Sequence, residues 1–190
     1  MKLEYYIQQK AKLSEEELSV ISPLFRTVEY PKKHIILEQG RICRHLNYIE
    51  QGLAKAYFID RNGEEVILNF ASDSWWITDI HSFEENKSSR LFIETLEPTI
   101  CRTLTIEDQY TMFDKIPRVE RFFRVLLQKH VGVLQERLFE HIAATAEDRY
   151  DNFLERYPTL HNRIPQNQIA NYIGVSAEFL SRIRKRKVGK

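Results

Sequence analysis

A chain of 190 residues with 43% hydrophobic and 12% aromatic content can bury one good core and a smaller second one, so two unequal domains are expected. No run of about 18 apolar residues is present to span a membrane, and the opening MKLEYYIQQK lacks the apolar centre of a secretion signal, so a cytoplasmic protein without a membrane partner is expected. The net charge of +1 hides an asymmetry: residues 161–190 hold seven Lys or Arg against one acid, Glu178, while the first 160 residues hold 21 bases against 26 acids. An acidic body with a basic foot suits a polyanion at one end only.

In chain order, Leu3 to Gln9 reads as a short helix, and Ser14-Glu15-Glu16-Glu17-Leu18 as the start of a second, with Ser14 as cap and Glu17 completing a capping box. Pro23 and Pro31 close this helical opening. From Lys33 the texture is β, with strands expected over 34–37, 46–50, 53–59, 65–71, 91–97 and 99–104. The strands at 53–59 and 65–71 flank Asn62-Gly63, a strong hairpin signal because both residues tolerate positive φ. Short strands separated by turns argue for an antiparallel sandwich or jelly-roll barrel.

Helical texture returns at Thr105 and is expected to continue past Pro117, well placed in a first turn, into a long helix over 117–144, proline-free from Val119, where Gly132 is the one weak point. Phe123, Leu127, Val131, Leu134, Leu138 and Ile142 recur at steps of three or four and form a seam; Val119, Phe122, Leu126 and Val133 form a second stripe. Two stripes imply two partners: the β domain, and the same helix of a second subunit. The alternative is that both enter one intramolecular core. A further helix over 147–156 ends at Tyr157-Pro158.

The stretch from Ile164 to Lys187 reads as two short helices meeting at a tight corner. Ile169, Ala170, Tyr172 and Ile173 form one apolar stripe, Gly174 can take the positive φ of a turn, and Phe179, Leu180 and Ile183 form another stripe. Ser176 caps the second helix, with Ala177 and Glu178 in its first turn, where a carboxylate suits the positive end of the dipole. The outward face carries Ser181, Arg182, Lys185 and Arg186. A helix about 10–12 Å across fits the major groove of a duplex.

Other chemistry is thinly represented. Cys43 and Cys101 stand alone, too few for a four-thiolate zinc or iron–sulfur site in one chain, and buried apolar packing is the expected role of both. The six histidines are scattered, none four residues from another, so no metal is expected. Asp79, His81 and Glu84 are close in sequence, but no Ser or Cys nucleophile motif accompanies them; a polar loop is expected, with no catalytic residues and no enzymatic activity.

This order of parts resembles the Crp/Fnr regulators along nearly the whole chain, most closely in IPQNQIANYIGVSAEFLSRIRKR and next in ILEQG, YIEQGLAKAYF and DRNGEEVILNF. The resemblance implies an α+β fold: a β-roll (jelly-roll) sensor domain over 1–116, a dimerisation helix over 117–144 and a winged-type helix-turn-helix domain over 145–190. It further implies a homodimer on a pseudo-palindromic double-stranded DNA operator, with RNA polymerase as a partner. In the Fnr branch the positions matching Glu178, Ser181 and Arg182 read base edges, helped here by Ser176 and Ala177 at the start of the helix. Independently, Arg182 can donate twice to guanine and Glu178 can accept from cytosine N4. Gln166, Arg184, Lys185, Arg186 and Lys187 are the expected phosphate contacts. Ala177 replaces the arginine found there in the cyclic-AMP receptor branch. Only three residues follow Lys187, so wing contacts are expected to be missing.

Cyclic-nucleotide binders of this family carry a Gly-Glu pair followed by an Arg-Ser/Thr-Ala step. Here the segments are Trp75 to Ile80 and Asn86 to Arg90, with no Gly-Glu and with Ser88 roughly where the arginine stands. An effector other than cyclic AMP is therefore expected, with Trp75, Trp76, Asp79, Ser88 and Arg90 as the candidate pocket, Lys87 or Arg90 available to pair an anion, and no bound cofactor. Two rival readings remain: a ligand-binding or scaffold β-roll whose basic tail contacts RNA, lipid or a protein, and a regulator without an effector, controlled by abundance.

Overall fold

A computed structural model describes residues 2–188; Lys190, counted in the basic foot, lies outside them. The chain divides into two compact units, residues up to 58 with 68–127, and residues 59–67 with those from 128 onward.

The first unit opens with α1 (Leu3–Ala11) and α2 (Glu15–Ile21). The capping box forms: Ser14 Oγ accepts from the Glu17 amide at 3.2 Å, and Glu17 Oε2 accepts from the Ser14 amide at 2.9 Å. After a 3₁₀ turn containing Pro23, the chain enters β1 (Arg26–Tyr30), in the stretch expected to be part of the helical opening. Pairing decides the matter, because all five residues of this edge strand lie opposite β8 (Thr99–Leu104), 69 or more residues away. No local pattern announces such a partner.

The remaining strands are β2 (Ile35–Leu37), β3 (Leu46–Gln51), β4 (Leu53–Ile59), β5 (Glu65–Ser72), β6 (Trp75–Ile77) and β7 (Phe92–Thr95). They form two four-stranded sheets, ordered β1-β8-β3-β6 and β2-β7-β4-β5. This is the antiparallel jelly roll that the turn spacing predicts. β6 and the helix α3 (Ile80–Glu85) occupy a stretch where no element was expected.

The helical texture from Thr105 forms two helices, the second with Pro117 in its first turn as expected. Thr105 caps α4 (Ile106–Lys115), and a new helix, α5 (Pro117–Ala143), starts at Pro117. Ile116 between them has φ −139° and ψ 81°, because the proline ring drives the residue before it out of the helical region.

The core of this unit joins both sheets to the helices. Ile7 of α1, Ile49 of β3, Ala56 of β4, Ile93 of β7, Cys101 of β8 and Met112 of α4 all belong to it. Aromatic edges tie it to the start of α5: Trp76 lies 5.1 Å from the Tyr48 ring and 5.4 Å from that of Phe123, and Phe122 lies 5.2 Å from Phe123. Both cysteines are buried, and burial pushes the Cys101 thiol up to about 12. On β4 the alternation places Ala54 and Ala56 in the core, while buried Lys55 pairs with Glu94 of β7 at 3.3 Å and lies 4.2 Å from the centre of the Tyr57 ring.

In the second unit, Thr145 and Asp148 form a capping box that starts α6 (Ala146–Arg156). α7 (Gln166–Ile173) and α8 (Ala177–Val188) follow. Tyr150, Phe153, Tyr157, Leu160, Ile164, Ile169, Tyr172, Leu180 and Ile183 are buried there, with the Phe153, Tyr157 and Tyr172 rings 5.2 to 5.7 Å apart.

Gly52 joins β3 to β4 with φ +117°; a Cβ there would fall 2.5 Å from Thr99 Oγ1 and 2.7 Å from Thr99 Cα. Gly52→Ala is expected to lose about 3 kcal/mol, adding steric overlap to a backbone angle that alanine rarely adopts. Urea unfolding measures the loss; an unchanged midpoint would mean that the turn relaxes at no cost.

Candidate nucleic-acid interface

The corner between α7 and α8 is built as its sequence predicts. Gly174 adopts φ 72° and ψ 45°, its amide donates to the Ala170 carbonyl, and the Val175 amide donates to the same oxygen at 3.0 Å. One carbonyl at the end of α7, that of Ala170, is thus satisfied by both amides, and the chain turns at Gly174. Ser176 Oγ accepts from the Phe179 amide at 3.2 Å, which caps α8. Leu180 and Ile183 are buried beneath that helix.

On the opposite side Glu178, Ser181, Arg182 and Lys185 stand exposed along one face, spaced at three and four residues. Ser176 and Ala177 are exposed at its start, and Gln166 is exposed at the start of α7. The amide of Glu178 itself and the Ser176 hydroxyl, with Arg182 nearby, hold the Glu178 carboxyl below its usual range. It therefore remains an ionised acceptor at neutral pH. The Arg182 guanidinium lies 5.2 Å from the centre of the Phe179 ring, which guides it along the helix surface.

The four cations expected at the phosphates are divided. Arg184 and Lys185 are exposed and have no ion pair among the described residues. Arg186 instead pairs with Glu147 at 2.6 Å and Lys187 with Asp151 at 2.5 Å, both acids on α6. Helix geometry explains Lys187: it lies four residues after Ile183 and seven after Leu180, on the side of α8 that faces inward. That spacing is present in the sequence, masked by the basic run around it.

The seam of α5 needs one correction. Phe123 is buried in the first unit's core against Trp76, Phe113 and Phe122, so it cannot also face a second subunit. Leu127, Val131, Leu134, Leu138 and Ile142 are exposed, Ile142 by 75%. From Leu127 onward these residues form one bare apolar strip at the 3-and-4 spacing of a helix pair. Val133, placed in the second stripe, is also exposed.

The candidate effector residues do not converge. Trp76 belongs to the aromatic core, whereas Trp75, Ser88 and Arg90 are exposed. Asp79 is buried and already engaged: its Oδ1 caps α3 by accepting from the Ser82 amide at 3.1 Å, and its Oδ2 accepts from Ser89 Oγ at 2.7 Å. Ser82 Oγ in turn donates to the Lys87 carbonyl and accepts from the Cys43 amide. Ser89, which anchors this network, was not singled out by sequence. Among the described residues no group of three His, Cys, Asp or Glu side chains could hold a metal, and no helix is long and apolar enough to cross a membrane.

Residues 27–115 match the family described as the cyclic nucleotide-binding domain. Solved structures extend the likeness to nearly the whole chain. The regulator CLP of Xanthomonas campestris, described as responsive to c-di-GMP, superposes with a TM-score of 0.75 at 15% identity over 93% of this chain and 92% of that one. The chain has the Crp/Fnr fold. The catabolite activator protein of Thermus thermophilus (TM-score 0.59, 20% identity, 93% and 84% covered) and FixK2 of Bradyrhizobium japonicum (0.74, 16%, 85% and 83%) share the Crp/Fnr fold with it. No curated protein matches the sequence. These structural neighbours are transcription regulators, a class that is generally not enzymatic.

If Glu147 and Asp151 compete with phosphates for Arg186 and Lys187, the double variant Glu147→Gln, Asp151→Asn should bind nonspecific duplex more tightly. It should also show a steeper salt dependence, by up to about two in the slope of log K against log salt, one for each released cation. Fluorescence anisotropy across a salt series measures both; an unchanged slope would mean that those cations stay away from DNA.

Proposed function

We propose that this chain is a sequence-specific DNA-binding transcription regulator that acts as a homodimer on a pseudo-palindromic operator. The supporting observation is α8, a capped helix with buried Leu180 and Ile183 on one side and exposed Glu178, Ser181, Arg182 and Lys185 on the other. Its start offers hydrogen-bonding side chains to base edges, with Arg182 suited to guanine and Glu178 to cytosine. Arg184 and Lys185 then meet phosphates, as do Arg186 and Lys187 once their α6 partners are displaced.

Dimerisation is supported by the bare strip on α5, since a row of Leu and Val at this spacing is stabilised by a copy of itself. Pairing along that strip would set two α8 helices into successive major grooves about 34 Å apart. A signal that alters the pairing would alter that distance, and with it the affinity, in proportion to how differently it binds the two arrangements. RNA polymerase is the partner through which a bound dimer would act on transcription.

The effector we propose is not a cyclic nucleotide. A phosphate brought to the start of α3 would meet the Asp79 carboxylate, which already satisfies that helix end and is held by Ser89. Anions and a buried carboxylate repel each other, and among the described residues no arginine guanidinium bonds to Asp79, Ser82 or Ser89; Arg41 meets Ser89 only through its backbone carbonyl.

Duplexes selected from a random pool test the reading directly. Against the selected operator, Arg182→Ala should lose about 1–3 kcal/mol per half-site and relax base choice, whereas Lys185→Ala should weaken all sequences alike. Equal binding of the Arg182 variant and the parent would remove that residue from base reading. Separately, Leu134→Glu with Leu138→Glu should give a monomer in sedimentation and abolish operator binding, because like charges would face each other across the strip. A dimer that persists in this variant would place the interface elsewhere.

A further inference from the structure

Besides the aromatic core of the second unit, polar ties join α5, α6 and α7, and they are made by arginines that neither base reading nor dimerisation uses. Only Ala144 and Thr145 separate α5 from α6, a two-residue joint that would swivel if nothing spanned it. Arg149 of α6 spans it: its Nη1 donates to the Ala144 carbonyl at 2.8 Å, and its Nε donates to the carbonyl of Ile173, the last residue of α7, also at 2.8 Å. One guanidinium thus ties the end of α5 to the corner from which α8 departs.

A second tie lies one helical layer away. Arg156 of α6 forks onto Glu140 of α5, Nη2 to Oε1 at 2.7 Å and Nη1 to Oε2 at 3.3 Å, and Nη1 also donates to the Tyr172 hydroxyl of α7 at 3.1 Å. Both side chains of the ion pair are largely sheltered from solvent, where such paired hydrogen bonds are directional and little screened. Arg137 of α5 completes the grip, its guanidinium 4.1 Å from the centre of the Tyr172 ring. Tyr172 is held at its hydroxyl by one helix and at its ring by another.

We propose that Arg149, Arg156 and Tyr172 form a positioning clamp that fixes the angle between α5 and α8, and so sets which half-site spacing a dimer accepts. The clamp rests on the reading that α8 enters DNA. Apolar packing alone tolerates small rotations, because its energy varies gradually with angle; forked hydrogen bonds to a carboxylate and to two backbone carbonyls do not. Loss of the clamp leaves the reading surface and the α5 strip intact and adds freedom at the Ala144–Thr145 joint.

The test uses the full chain and an operator obtained by selection, together with versions whose half-sites are one base pair closer or farther apart. One base pair shifts a half-site by about 3.4 Å and turns it by about 34°. The parent should bind the matched spacing at least about tenfold more tightly than either altered one, and Arg156→Ala should weaken matched binding by about tenfold while reducing the spacing preference to under about threefold. Sedimentation should show an unchanged dimer. Tyr172→Phe removes one hydroxyl without changing the fold and should move the spacing preference in the same direction by a smaller factor, which covers the case of an unstable Arg156 variant. A loss of affinity that is equal at all three spacings in both variants would overturn the clamp and leave the DNA reading standing. A parent that selects no duplex would overturn the DNA reading, and the clamp with it.

Discussion

One uninterrupted helix, Pro117–Ala143, carries two different obligations along its length. Its first turns are driven into an aromatic core through Val119, Phe122 and Phe123. From Leu127 the same helix turns an apolar strip to solvent. Burial of each exposed leucine against a partner is favourable by about 1.5–3 kcal/mol, whereas leaving the strip wet gives nothing back. The exposed apolar strip thus begins where the first core ends.

Electrostatics partition the second unit in a comparable way. On the exposed side of α8, Arg182, Arg184 and Lys185 have no ion pair among the described residues, while Arg186 and Lys187 are held by carboxylates of α6. Exposed pairs of this kind contribute little stability, so their consequence lies in competition: any polyanion must match what Glu147 and Asp151 already provide. Local charge counting overstates the number of cations ready for a phosphate.

In the β-roll, buried polar groups bond to one another around the start of α3 and across β4 and β7. Asp79, Ser82, Ser89 and Cys43 satisfy one another at the start of α3, and Lys55 with Glu94 satisfies a buried charge on β4 and β7. These groups, removed from water, have found partners inside the chain, whereas Asn47 Oδ1 and Trp76 Nε1 are buried without a hydrogen bond. The likeness to cyclic nucleotide-binding domains covers residues 27–115, and a shared fold does not by itself fix what such a domain binds.

Features decided within a turn or two of the backbone were determined by the sequence alone. The capping box at Ser14 and Glu17, the Gly174 corner, the Ser176 cap and the proline-free run of α5 depend on residues at most a few positions apart, and hydrogen bonds of that range form wherever the residues allow them. Tertiary structure decided the rest. β1 exists because β8 lies beside it, and Phe123 left the seam because Trp76 and Phe113 surround it. Lys187 met Asp151, and Arg149 and Arg156 joined three helices, through contacts between residues 16 to 36 positions apart or five apart across a chain reversal. Periodicity states that a face is apolar or charged; which surface it meets is settled only when distant segments compete for the same space, and that competition has no local signature.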